Sequence, residues 1–272
     1  MDSSNVSMDL EGEINKENIK SSIRKINSKY IIKQISEILY KGSLLNIIRY
    51  NKALQKELEI ELKDFKEFSE LYSPIEFELI PASNIYGKFI NLADKEHKYC
   101  HIYFNDNKEE EIYKYSLDEE EDKDKINKIR IILDYKIDSF NDLFEGCKCI
   151  ESIKVKKFNR INIDNMRGMF WECTALKEIE LQKFKTNEVT NMSWMFFNCK
   201  DLKKADISKF KLDNVEKTVG MFWGCASLDE INLPGFNNID NIDMKCMFSE
   251  CSEQLKQNVR TQNNNISNIA FN

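Results

Sequence analysis

The sequence predicts an α+β chain: N-terminal helices, then a small antiparallel β unit, then a short solenoid of 26-residue coils with a parallel strand ladder. Three observations carry this reading. Phe144, Phe170, Phe196, Phe222 and Phe248 recur at a constant interval of 26 residues, each followed three positions later by Cys147, Cys173, Cys199, Cys225 or Cys251. A second set with the same spacing runs through Phe158, Phe184, Phe210 and Phe236. Ahead of these, the apolar pattern changes from a helical period to strand alternation. One side-chain size at one fixed interval is what stacked, similar coils require, because a single coil has no core and must bury its face on a neighbour.

The elements follow in chain order. Residues 1–20 are polar and acidic and read as disordered. Residues 21–72 read as helical. Asn27 or Ser28 caps a helix carrying Ile31, Ile32, Ile35, Ile38 and Leu39; Gly42 stops it, and Ser43 caps the next, with Leu44, Leu45, Ile47, Ile48, Leu54 and Leu58. Residues 73–134 alternate: IEFELI, GKFINL, YCHIYFND, EIYKYSL and KIRIILD read as short strands, with the run Asp118–Asp124 as a solvated loop. This β unit is expected to shield the first coil. Residues 135–251 hold the coils, with inward triplets Ile150, Ile153, Val155, then Leu176, Ile179, Leu181, then Leu202, Ala205, Ile207, then Leu228, Ile231, Leu233. Residues 252–272 form a polar tail, either disordered or laid over the exposed end.

Composition excludes several functions. Forty Lys and Arg against 46 Asp and Glu leave a net charge of −6, without the basic patch and interleaved aromatics of a nucleic-acid binder. The first residues lack the basic and apolar regions of a signal peptide, and no apolar run is long enough to cross a bilayer. One cysteine per coil suggests buried small side chains rather than disulfides or zinc ligands, and hence a reduced, cytoplasmic protein. His97 and His101 flank Cys100 without a matching ligand cluster and read as surface histidines. No phosphate-binding glycine loop and no paired catalytic carboxylates stand out, so neither enzyme activity, cofactor nor metal is expected.

The unit MF-x2-C-x2-L-x2-I-x-L-x2-F followed by VTNMSWMF, best read over Met169–Met195, resembles the BspA-type leucine-rich repeat of bacterial and protist proteins across residues 140–251. That resemblance implies a solenoid with a strand-lined face used for binding or adhesion. More faintly, residues 28–60 are similar to an F-box, although Lys29–Tyr30 stands where its usual Leu-Pro opening would be. An F-box implies docking on a Skp1-like adaptor, with the coils holding a substrate for ubiquitin transfer.

Two surfaces are candidates for partner binding. Outward strand positions form a charged ladder that runs from Lys154 and Lys156 through Glu178 and Glu180 to Lys204, Asp206, Glu230 and Asn232. Trp171, Phe197 and Trp223 each follow an anchor phenylalanine and would form an aromatic ridge, suited to interfaces because such rings bury much area with little rotamer loss. The expected function is a non-enzymatic protein-binding scaffold. The ubiquitin-ligase adaptor and a structural subunit of a large assembly are the alternatives.

Overall fold

The computed structural model describes residues 52–57, 63, 66, 70–105, 107, 111–134, 137–235 and 241–272. The chain divides into two units, Met1–Phe68 and Ser69–Asn272. In the first unit the described residues include helix α1, Lys52–Glu57. The expected disordered start, the first helix and most of the F-box-like stretch 28–60 lie outside the described residues, as does Phe236.

The second unit opens with strand β1 (Ile75–Pro81), whose alternation sends Ile75, Phe77 and Leu79 inward. After a two-residue strand β2 (Gly87–Lys88) come β3 (Cys100–Phe104) and a second two-residue strand, β4 (Ser116–Leu117). The acidic run expected as a loop instead holds a helical turn, α2 (Glu119–Asp122). Its first amides are capped by the Asp118 carboxylate, which accepts from Glu120 and Glu121. Strand β5 (Ile129–Leu133) follows, and the first repeat contributes the eight-residue β6 (Ile150–Lys157).

These strands overturn the expected solenoid with its parallel ladder. The main sheet has five strands in the order β3-β5-β1-β6-β7, where β7 is Glu178–Ile179, and it is mixed. Strand β1 runs antiparallel to both β5 and β6, placing Phe77 opposite Ile131 on one side and Val155 on the other. Only β6–β7 is parallel in that sheet. The remaining parallel pair, β8 (Lys204–Asp206) with β9 (Glu230–Asn232), forms a sheet of its own. The physical reason lies in segment length. In the later repeats only the middle member of each inward triplet, Ile179, Ala205 or Ile231, lies in a strand, and those strands have two or three residues, too short for a continuous ladder. Strand β6 is long enough, and it pairs with β1.

Turns, rather than strands, bind the repeats together. At each boundary four alternate backbone N–H groups donate to carbonyls 25 residues ahead. Phe140, Asp142, Phe144 and Gly146 bond to Asn165, Arg167, Met169 and Trp171, and the pattern recurs from Met166, Met192 and Thr218, with all N···O distances 2.7–2.9 Å. Two residues per repeat adopt the left-handed conformation that this path demands. One slot holds Asp142, Gly168, Trp194, Gly220 and Cys246; the other holds Gly146, Glu172, Asn198, Gly224 and Glu250. At Gly168, Gly220 and Gly224 an added Cβ would overlap a side chain of the preceding repeat, so these glycines serve both conformation and close approach. The Asn165, Asn191 and Asp243 side chains each accept from the amide two residues on, tightening the turn before the first slot.

The anchor phenylalanines stand in single file inside this frame, fully buried. Their centroids are 5.1–5.8 Å apart and consecutive planes lie within 16° of parallel. At the first repeat the file meets β1 through an edge contact of Phe144 with Phe77. Each following cysteine donates its thiol proton to the anchor carbonyl of the preceding repeat: Cys173 to Phe144, Cys199 to Phe170, Cys225 to Phe196 and Cys251 to Phe222, with S···O of 3.0–3.1 Å. That carbonyl also accepts the backbone N–H three residues on, so both lone pairs are used. Burial pushes the Cys173 and Cys251 thiols up to about 12. All eight cysteines are free thiols, and Cys246 alone is not buried.

Truncating the middle anchor, Phe196→Ala, is expected to cost about 3–5 kcal/mol in urea unfolding, because the file cannot collapse around the gap. The thiols set an alkaline limit. In the unfolded chain they ionise near pH ~8.5, while folded Cys173 holds its proton to about 12. The Cys173 contribution is therefore complete below pH ~8.5 and is lost as pH rises toward 12, by about 1.4 kcal/mol per pH unit. The urea midpoint should be flat from pH 6 to 8 and fall above pH 9, less steeply in Cys173→Ala.

Candidate functional site

Strand positions carry the first candidate surface, and the structure shows its charges engaged with one another. Lys204 bridges to Glu230 on the next repeat at 2.6 Å, Lys154 lies 3.9 Å from Glu180, and Lys156 is 3.6 Å from Glu78 of β1. Asp206 accepts from the Gln182 amide of the previous repeat. Hydrogen bonds from Ser208 and Gln182, together with the charge of Lys209, hold its carboxyl below the usual range. Glu178 and Asn232 are exposed beside these pairs. The sequence-level gradient from basic to acidic thus becomes a set of cross-strand pairs, exposed to water and screened by it, which leaves little net field to steer a partner.

The second surface is built differently. The residue after each anchor uses its carbonyl to accept from the preceding repeat: Trp171 from Gly146, Phe197 from Glu172 and Trp223 from Asn198, at 2.7–2.8 Å. The backbone therefore fixes the three rings at rung spacing, and all three are half-buried. Trp171 and Phe197 meet at 4.5 Å between centroids, and Phe197 and Trp223 at 6.0 Å.

A fourth ring, absent from the expected ridge, sits among them. Trp194 is half-buried and packs on Trp171 at 5.8 Å, on Phe197 at 5.5 Å edge-on and on Trp223 at 5.8 Å. It occupies the first left-handed slot with φ of 62°, where the neighbouring repeats place Gly168 and Gly220. The missing Cβ of Gly220 leaves the space its six-membered ring fills. A bulky residue in this conformation costs about 1–2 kcal/mol, so the ring contacts hold the backbone there against its preference. The sequence signal was a tryptophan in a slot that two other repeats give to glycine. At one end of the row the Arg167 guanidinium lies 6.0 Å from the Trp171 centroid and 3.4 Å from Asp142.

The remaining candidates do not converge. His97 stacks on Tyr115 at 4.0 Å, and His101 Nδ1 lies 2.9 Å from Glu111 Oε1. Burial, followed by the Glu111 charge, pushes Cys100 up to about 12. Among the described residues no group of three or more His, Cys, Asp and Glu is placed to hold a metal, and no helix is long and apolar enough to cross a membrane.

Residues 138–263 match a family described as "Mycoplasma protein of unknown function, DUF285". The match spans slightly under half of the 272-residue chain and takes in all five anchors from Phe144 to Phe248. Neither a curated protein nor a solved structure matches the chain.

Strain at Trp194 reverses the usual ranking of small residues. Both Trp194→Gly and Trp194→Ala lose the ring contacts, but only glycine relaxes the backbone. The glycine variant should be the more stable by about 1 kcal/mol in urea unfolding, whereas equal stabilities would mean that the slot imposes no strain.

Proposed function

We propose that this chain is a non-enzymatic protein-binding scaffold whose contact surface is the row Trp171, Trp194, Phe197 and Trp223. One observation carries the reading: four large, partly exposed rings share one cluster, one of them on a backbone conformation tryptophan disfavours. A ring needed only to fill core could be replaced by the glycine its neighbours use. Partly exposed tryptophans on a rigid frame present area to a partner without loss of rotamer freedom on binding, which is how interface anchors act. The strand face, with its charges already paired between rungs, supplies a solvated flank.

The recurring Met-Phe and cysteine unit, together with the family match over residues 138–263, supports kinship with BspA-type repeat proteins, in which such repeats serve binding or adhesion. Eight free thiols, seven of them buried, favour a reducing, cytoplasmic setting over an oxidising one.

The reading is tested with partners captured on the immobilised full chain and measured by calorimetry. Trp171→Ala combined with Trp223→Ala is expected to weaken the captured partner about 30-fold or more, on the scale of two interface anchors. The charge exchange Lys204→Glu with Glu230→Lys should change affinity less than about threefold. Full affinity in the tryptophan double variant, with its fold intact by circular dichroism, overturns the row as the contact surface.

A further inference from the structure

The last repeat is closed by the segment after Cys251, and the closure imitates a sixth repeat only in part. Helix α3 (Glu253–Gln262), capped by the Ser252 hydroxyl, buries Leu255 and Val259. A linker, Asn263–Ser267, then leads to a 3-10 turn over Asn268–Phe271. The ring of Phe271 lies 5.6 Å from Phe248 and 21° from parallel, extending the file of anchors by one member. Arg260 covers its outer face, with Cζ 4.1 Å from the ring centroid.

The backbone shows how partial this closure is. At the boundary before, Thr218, Gly220, Phe222 and Gly224 donate to Asp243, Lys245, Met247 and Ser249, four alternate donors to four alternate acceptors. The equivalent donors of the last repeat are Met244, Cys246, Phe248 and Glu250. The closing segment accepts from two of them, Cys246 through Ile269 and Phe248 through Ala270, using adjacent rather than alternate carbonyls. The Ser249 hydroxyl adds a bond to the Asn272 carbonyl. Two ladder bonds, the Ser249 bond, the buried Ala270 and the Phe271 ring between Phe248 and Arg260 hold the 3-10 turn, against four ladder bonds at each interior boundary. Its release therefore opens less structure than any other break in the repeat stack.

We propose that the last repeat carries an acceptor site for an Ile-Ala-Phe segment, filled here by Ile269–Phe271 of the same chain and open to the same segment of a second copy. The recognition is chemical and local: two backbone donors, a phenylalanine face and a hydroxyl. None of it depends on the covalent link through Asn263–Ser267. The occupant in trans is the 263–272 segment of another molecule, continuous with the contact that already joins each repeat to the next, and reciprocal exchange yields a dimer. The site is separate from the aromatic row and does not rest on the function proposed for it.

The test uses the full chain carrying Phe271→Asp, which empties the site, and a fluorescent peptide of residues 263–272. Binding of the wild-type peptide, at least about tenfold tighter than a peptide with the same Phe271→Asp change, is the expected result. Trp171→Ala with Trp223→Ala should leave that binding unchanged, separating this site from the row. Should the Phe271→Asp chain lose its cooperative melt, the wild-type chain decides: excess labelled peptide should displace the tethered segment and bind, again dependent on Phe271. Equal binding of the two peptides, or no binding to either chain, overturns the proposal.

Discussion

An amide donating to a carbonyl 25 residues ahead, repeated four times at every boundary, is the constraint on which the repeat region depends. It sets the distance between rungs and so the separation of the phenylalanine rings. It turns the cysteine of each rung toward the anchor carbonyl of the rung before. It also dictates the two left-handed residues per repeat, since four alternate amides face one neighbour only if the path between them curls back tightly. Side-chain packing and backbone pairing are thus two accounts of one geometry, and neither is stable alone. A turn of this kind has little apolar area of its own, and a stack of rings without the amide ladder has no register.

Much of this was legible in the residues. The anchors Phe144 to Phe248 and their cysteines appear as a strict period, and burial of both sets follows from it. Strands of the first half, such as Ile75–Pro81 and Ile129–Leu133, were visible because alternation is a local signal. The sheet order was not. Triplets such as Leu176, Ile179 and Leu181 have strand-like spacing, but spacing does not say whether enough consecutive residues will pair, and Glu178–Ile179 yields only two. The antiparallel join between β1 and β6 is a long-range choice, made by register across the sheet rather than by either segment.

The candidate surfaces divide along the same line. The positions of Trp171, Phe197 and Trp223 could be read from their place after each anchor, and the geometry groups them. Trp194 escaped because it belongs to a different slot and occurs in one repeat only; its meaning appears once Gly168 and Gly220 are seen to share its backbone conformation. The charged ladder shows the opposite limit. Lys204 and Glu230 look like a gradient when written along the chain, but lie within 2.6 Å of each other in space, so a one-dimensional pattern overstated the field.

The fixed offset of the amide ladder also governs how such a chain can change in length. Gain or loss of a few residues within a repeat would misalign donors and acceptors at both adjoining boundaries, whereas gain or loss of a whole 26-residue unit leaves every surviving contact in step. Size in this architecture is therefore quantised. A duplication copies an entire rung, ring and thiol included, and lengthens the presented surface without redesigning what lies at either end.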